Sequence, residues 1–201
     1  MPFRKDKRAV IAAFTRGPRD TVLVDLRAAE ARLLADLFGE LLELLDEESA
    51  ARPDPGPVDP LAAELGLGGL GDETPSARPD DPALARLFPD AYPDDPDATA
   101  EFRRYTQADL TAERRRRAVT AIESLDRIKE GGRLSLLAPE AAAWLGALND
   151  LRLVLGTRLE ITADEQEPGE GFGPHDPRTA YIPVYYYLGY LQETLVEALT
   201  G

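Results

Sequence analysis

The chain has 201 residues, no cysteine, one histidine and a formal net charge of −14. This length is enough to bury a sizeable core, and one domain is expected over residues 1–201. The lack of cysteine excludes disulfides, thiolate nucleophiles and cysteine-based zinc sites. No apolar run reaches the roughly 18 residues of a membrane span, and the first apolar run is too short for a signal peptide. We therefore expect a cytoplasmic protein without membrane contact.

The acidity is concentrated in one part of the chain. Residues 40–101 hold 17 acids and three arginines, whereas the remainder holds 20 acids and 20 bases. The remainder is thus balanced rather than basic, which leaves binding to DNA possible but not favoured. Residues 51–81 combine proline, glycine and acids with little periodicity, so they predict a flexible insert at about 50–80. The apolar stretch Leu61–Leu70 within it is a candidate helical turn or docking element.

The N-terminal part predicts a β-hairpin followed by a helix. Residues 8–14 and 21–25 are short β-like runs, and the turn-rich residues 15–20 join them. Asp25 is the expected N-cap of a helix from Leu26 to about Glu47. Leucines fill one half of the wheel of this helix and charged residues fill the other, which indicates a core helix with one solvated face.

Further helices are expected after the insert. Asp81 and Pro82 should open a short helix that ends near Phe88, because aspartate favours the N-cap and proline the first helical position. Asp97 and Thr106 are candidate caps for two more helices, of which the second runs to about residue 128.

The last third predicts a strand followed by two long helices. Residues 133–137 are β-like and lead into a helix over 142–161, with a short strand possible at 158–162. Pro183 should open a C-terminal helix with a leucine stripe. The expected fold is mainly α: a helical bundle with a small antiparallel β-hairpin or sheet near the N-terminus.

Polar residues interrupt the apolar helix at 142–161. Asn149, Asp150 and Arg152 lie in a helix that is apolar on more than one side, so they are expected to be partly desolvated and to need partners. Arg115 falls on the side of the preceding helix whose apolar stripe includes Val119, and it is a candidate internal partner for an acid such as Asp150. We interpret these four residues as a structural polar cluster, with partner binding and catalysis as weaker alternatives.

The chain has one basic run, Arg114–Arg117. Four consecutive helical residues spread over about 300° and cannot form a single patch. Arg116 and Arg117, together with Arg103 and Arg104, are candidates for contact with a phosphate backbone or an acidic protein. A solvated helix face is the plainer interpretation.

Tyrosines cluster at the start of the C-terminal helix: Tyr185, Tyr186, Tyr187 and Tyr190. Adjacent tyrosines on a helix face different ways, so some should be buried and others exposed. Packing against the rest of the fold is the usual explanation. A homodimer interface is the alternative, because aromatic residues are enriched at such surfaces.

No residue pattern predicts catalysis, a metal or a cofactor. His175 lies in a Gly- and Pro-rich loop, and no serine has the pattern of a nucleophile elbow. Gly66–Gly71 does not follow a strand, contains no lysine and lies in the acidic insert, which argues against phosphate binding. We therefore predict that the protein is not an enzyme.

Three segments carry a resemblance to a known family. They are DPALARLFPDAY at 81–92, WLGALNDLRLVLGTRLEI at 144–161 and YYYLGYLQETLVEAL at 185–199. In this order they resemble the AosR-type oxidative-stress transcriptional regulators, over most of the chain outside residues 48–80. The NDLRLVLG core is the most specific of the three.

The resemblance implies a non-enzymatic regulator that acts with a stress sigma factor of RNA polymerase to raise expression of cysteine-biosynthesis genes. In that family redox sensing is expected to use a pair of cysteines. This chain departs from the pattern because it has none, so a thiol–disulfide switch cannot operate in it. A switch based on methionine sulfoxide has little support either, because Met1 is the single methionine. The alternative is a helical adaptor or scaffold without a role at DNA.

Overall fold

The computed structural model describes residues 12–50, 77–161, 169, 172–173 and 175–201. In these ranges the chain forms three strands and five α-helices. The strands are β1 (Phe14–Arg16), β2 (Val22–Arg27) and β3 (Gly131–Leu136). The helices are α1 (Ala28–Ala50), α2 (Pro82–Leu87), α3 (Pro96–Asp126), α4 (Ala138–Arg158) and α5 (Ile182–Thr200). Short 3-10 turns lie at Pro18–Asp20 and Pro177–Tyr181.

The strands form one antiparallel sheet in the order β1-β2-β3. Phe14 is opposite Val24, and Val24 is opposite Leu134, so apolar side chains from all three strands share one face. These residues are buried, as expected when alternate residues of a strand point to the same side. The predicted mainly helical fold with a small antiparallel sheet near the N-terminus is confirmed.

Two details of the N-terminal prediction were wrong. Strand β1 begins at Phe14 and includes residues assigned to the link, while residues 8–11 lie outside the described part of the chain. Strand β2 continues to Arg27, so Asp25 is not a helix cap. Asp25 instead accepts hydrogen bonds from Arg133 of β3, with Nη2 at 3.0 Å from Oδ2. A cross-strand pair of opposite charges thus replaces the predicted cap.

The core is centred on Trp144 of α4. Its ring meets Phe14 of β1 and Phe38 of α1 edge to face, with centroids 5.6 and 5.5 Å apart. The indole Nε1–H donates to Ser124 Oγ of α3 at 2.7 Å. The same side chain therefore joins the sheet and three helices, and its polar atom has a partner despite full burial.

The region predicted as two helices is one 31-residue helix, α3. Its N-cap is Asp95, whose carboxylate accepts from Ala98 N at 3.0 Å. Thr106 lies inside the helix, where its hydroxyl donates to Phe102 O at 2.9 Å. The prediction for Asp81 is confirmed, since its carboxylate accepts from Ala83 N at 2.7 Å and caps α2.

Helix α4 begins earlier than predicted, at Ala138, and ends at Arg158. Residues 158–161 therefore do not form the short strand that the sequence suggested, and Glu160 has a positive φ of 57° just after the helix.

The predicted insert lies largely outside the described residues, and Leu61–Leu70 and Gly66–Gly71 fall entirely in that undescribed range. None of the helices described has the length and hydropathy needed to cross a bilayer.

Candidate functional site

Asp150 of α4, the acid of the predicted polar cluster, is buried, with 1 % of its surface exposed. It forms an ion pair with Arg114 of α3. Arg114 Nη2 also donates to the carbonyl oxygen of Leu87 at 2.6 Å, and its guanidinium lies 5.2 Å from the centre of the Phe88 ring. One arginine thus connects α3, α4 and the end of α2.

Burial raises the pKa of Asp150, and the positive charges of Arg114 and Arg117 oppose this shift. Among the residues that the structure describes, the second carboxylate oxygen, Oδ2, has no hydrogen-bond partner. A raised pKa is a common property of catalytic acids. Here, however, the carboxyl group is shielded from solvent and its other oxygen is held by Arg114, so the geometry fits a structural link between helices.

Arg115, the predicted partner of Asp150, lies elsewhere. It pairs with Asp46 of α1 near the surface, and Arg114 occupies the place expected for it. The buried stripe of α3 in this region contains Thr111, Ala118 and Ala121, and Arg114 follows Thr111 by three residues and precedes Ala118 by four, which places it on the same face. The prediction took Val119 as part of the buried stripe, but this residue is exposed. The small alanines mark the face of α3 that is buried.

Arg152 and Asn149 belong to a second link, between α4 and α5. Arg152 Nη1 donates to Gln192 Oε1 at 2.6 Å, and the Nε2 of Gln192 donates to Asn149 Oδ1 at 3.4 Å. The guanidinium of Arg152 lies 5.4 Å from the centre of the Tyr185 ring. Asn149 is exposed. The four residues predicted as one cluster therefore lie in three separate places.

The arginines proposed for phosphate contact do not share one open face. Arg103 is only 6 % exposed and donates to Asp90 Oδ1 at 2.5 Å, so it is a buried structural residue. This corrects the prediction for Arg103. Arg104 stacks on the Tyr105 ring at 4.5 Å.

Arg116 and Arg117 both pair with Glu113 on the same helix. Of these two, Arg116 is exposed, and Arg117 is partly buried against Gly146 of α4. A carboxylate beside each guanidinium reduces its attraction for phosphate.

The four tyrosines of α5 divide as adjacent helical positions require. Tyr186 and Tyr190 are exposed, whereas Tyr185 and Tyr187 are half-buried and pack against the core. Burial raises the pKa of the Tyr187 hydroxyl, which has no hydrogen-bond partner among the described residues. A homodimer interface at this helix stays a prediction.

A groove lies between α1 and α4. Its volume is about 430 Å³. Leu41 and Leu155 are buried at its base, and the half-buried Leu44 and Val154 line it. Tyr181, from the 3-10 turn before α5, contributes an exposed aromatic ring. Sequence reasoning missed this feature, because it depends on the separation of two helices rather than on a motif.

The comparison with protein families decides the classification. A family described as a domain of unknown function (DUF2017) matches residues 11–199. The chain belongs to this family. Its match covers both polar links and the groove, so these features lie in the part of the chain that the family shares.

Proteins named "Oxidative stress regulator AosR" are similar to this family member. Those of Mycobacterium bovis and Mycobacterium tuberculosis are 37% identical over 189 residues, which cover 86% of this chain and 79% of each relative. A Mycobacterium leprae protein with the same AosR name is 36% identical over 209 residues, covering 98% of this chain and 88% of the relative. No solved structure matches the chain at a significant level.

Proposed function

We propose that the protein is a non-enzymatic regulator of the oxidative-stress response that works in the cytoplasm by contact with a sigma factor or RNA polymerase. The similarity to regulators over 86% of this chain supports the regulatory part. The partner class follows the resemblance of the three sequence segments at 81–92, 144–161 and 185–199.

The observation that carries the proposal is that the best candidate for a catalytic acid is buried and paired, whereas an apolar groove is open to solvent. Asp150, the best candidate for a catalytic acid, is held by Arg114 in the interior. The groove between α1 and α4 has an apolar base and reaches the surface at Tyr181. An apolar groove with charged residues at its edge is a common way for one protein to hold another.

The absence of cysteine determines how such a regulator would receive its signal. Thiol oxidation requires a thiolate, and the sequence contains no cysteine. We therefore place the redox-sensitive step in the partner or upstream of it. The protein itself would contribute binding that does not depend on its own oxidation state.

A pull-down from cells with and without peroxide treatment tests the partner class. Recovery of a sigma factor or RNA polymerase subunits by the tagged full chain supports the proposal. Recovery of metabolic enzymes or protease components alone would instead favour an adaptor without a role at DNA. Direct DNA contact is tested separately, by binding of duplex DNA at low and moderate salt, because phosphate contacts weaken steeply as salt rises.

A further inference from the structure

The two sides of the groove differ in free charge. On the α1 side, Glu40, Glu43 and Glu47 line the groove and are exposed. Among the described residues, no ion pair is formed by these three carboxylates. This side therefore presents three uncompensated negative charges beside apolar surface.

The opposite side carries arginines that are already neutralised. Arg158 donates to Asp81 Oδ2 at 2.6 Å. Arg178 donates to Asp176 Oδ2 at 2.8 Å and to Glu160 Oε1 at 2.5 Å. The net field at the groove is therefore negative and comes from α1. An occupant gains electrostatic complementarity if its positive charges face that helix.

The spacing of the glutamates gives the geometry of the occupant. From Glu40 to Glu47 is two helical turns, or about 10 Å at 1.5 Å per residue. A second helix lying along α1 would match this row with basic residues three or four positions apart. Its apolar side chains would then lie over Leu44 and Val154, which are only half-buried.

We propose that this groove binds an amphipathic helix of a partner protein, with Lys or Arg at i, i+3 or i+4, and i+7 on the edge that faces α1. The inference rests on the proposed function in one respect, namely that the protein acts by contact with another protein. It adds the surface that makes the contact and the chemistry of the segment that is bound.

Charge argues against the chain's own insert as the occupant. Residues 51–76 contain five acids and a single base, Arg52. An acidic segment beside Glu40, Glu43 and Glu47 would be repelled, and like charges in close contact are unfavourable. The apolar stretch Leu61–Leu70 has the right hydropathy but includes Glu64 and no base. A basic helix from another protein satisfies both requirements.

The test uses the full chain and a synthetic 16-residue peptide of about four turns with a leucine stripe flanked by lysines. Binding is followed by fluorescence anisotropy at about 0.15 M salt, where distant charges are screened. Two further peptides serve as controls: one with the same composition in scrambled order, and one with residues 58–73 of this chain. We expect the amphipathic peptide to bind more tightly than either.

Charge reversal on α1 locates the contact. We expect Glu40→Lys/Glu43→Lys/Glu47→Lys to weaken peptide binding at least tenfold. The matched control is Glu123→Lys/Glu193→Lys/Glu197→Lys, which changes net charge equally at exposed positions of α3 and α5 and should retain most of the affinity. An equal loss in both variants would overturn the proposal, because it would show only general attraction to an acidic protein.

The apolar part of the contact is tested by Leu44→Gln, which should also weaken binding while thermal unfolding stays cooperative. Tighter binding of the 58–73 peptide than of the basic peptide would overturn the proposal in favour of the chain's own insert.

Different results would disprove the binding role of the groove and the proposed function. Polymerase captured equally by wild type and the α1 triple variant disproves the groove alone, whereas peptide binding without capture disproves the polymerase partner alone.

Discussion

Arg114 and Asp150 form an ion pair between α3 and α4, in which the acid is almost fully buried and the arginine is largely so. The arginine also donates to Leu87 O at 2.6 Å. Desolvation makes such a pair costly to break, although it adds little over a well-packed apolar pair. The pair therefore fixes how α2, α3 and α4 meet, and each partner depends on the other.

Asp150→Ala should lower the free energy of unfolding by about 1–3 kcal/mol, because it leaves the largely buried Arg114 without its anion. Chemical denaturation measures this loss. The comparison variant is Asp46→Ala, which removes the carboxylate that pairs with Arg115 near the surface; we expect a loss of at most about 1 kcal/mol there.

Double-mutant cycles decide which arginine is coupled to Asp150. The cycle of Arg114→Ala with Asp150→Ala should give a coupling energy above about 1 kcal/mol, and that of Arg115→Ala with Asp150→Ala should give a value near zero. Equal coupling in the two cycles would contradict the assignment of Arg114.

Ser124→Ala should destabilise the protein by about 1–3 kcal/mol, because the buried indole N–H of Trp144 then loses its acceptor. Trp144 is the single tryptophan of the chain, so its fluorescence reports unfolding directly. Ser135→Ala, at an exposed position of β3, should change stability by no more than about 0.5 kcal/mol. Similar losses in the two variants would show that the hydrogen bond contributes nothing specific.

Glu30 should contribute to stability only above acidic pH. Its hydrogen bond with the Arg27 guanidinium, at 2.5 Å, together with the backbone N–H of Arg27, lowers the pKa of Glu30 below its ordinary value of 4.5. A lowered folded-state pKa stabilises the fold above the unfolded value, and this contribution disappears as pH falls through the folded value.

Glu30→Gln should therefore cost about 1 kcal/mol at pH 7, and the difference from wild type should shrink below pH 4.5. Urea denaturation at pH 7, 5 and 3 checks the trend. A difference that stays constant over this range would contradict the predicted titration of Glu30.

Two glycines should respond to alanine in opposite directions. Gly39 lies in the middle of α1, and an added Cβ would meet no described residue within 4 Å apart from its own chain neighbours and the nearby helix backbone, so Gly39→Ala should stabilise by about 0.5–1 kcal/mol. Gly131 has a φ of +83°, and an added Cβ would lie 2.6 Å from Ala28 N, so Gly131→Ala should destabilise by about 2 kcal/mol or more. Thermal unfolding of the two variants compares them; the same sign for both would refute the local geometry.

Local patterns in the sequence predicted much of the fold because they act through neighbouring residues. The leucines of α1 recur at helical spacing, and Asp81 with Pro82 provides both a cap and a first helical residue. The β-like run at 21–25 predicted a strand, and β2 lies there. Thr106 misled for the same local reason: its hydroxyl can cap a helix or bond back within one, and the sequence does not distinguish these.

The sequence by itself determined the fold class, the absence of thiol chemistry and the family to which the chain is similar. Only the tertiary structure decided that Arg114 rather than Arg115 meets Asp150, that Arg103 is buried, and that α1 and α4 leave an apolar groove. Consecutive residues of a helix point about 100° apart. Which of two neighbouring arginines meets Asp150 therefore depends on how α3 is rotated about its axis and how close it packs to α4. Those quantities arise only when all helices pack around Trp144, and no local pattern contains them.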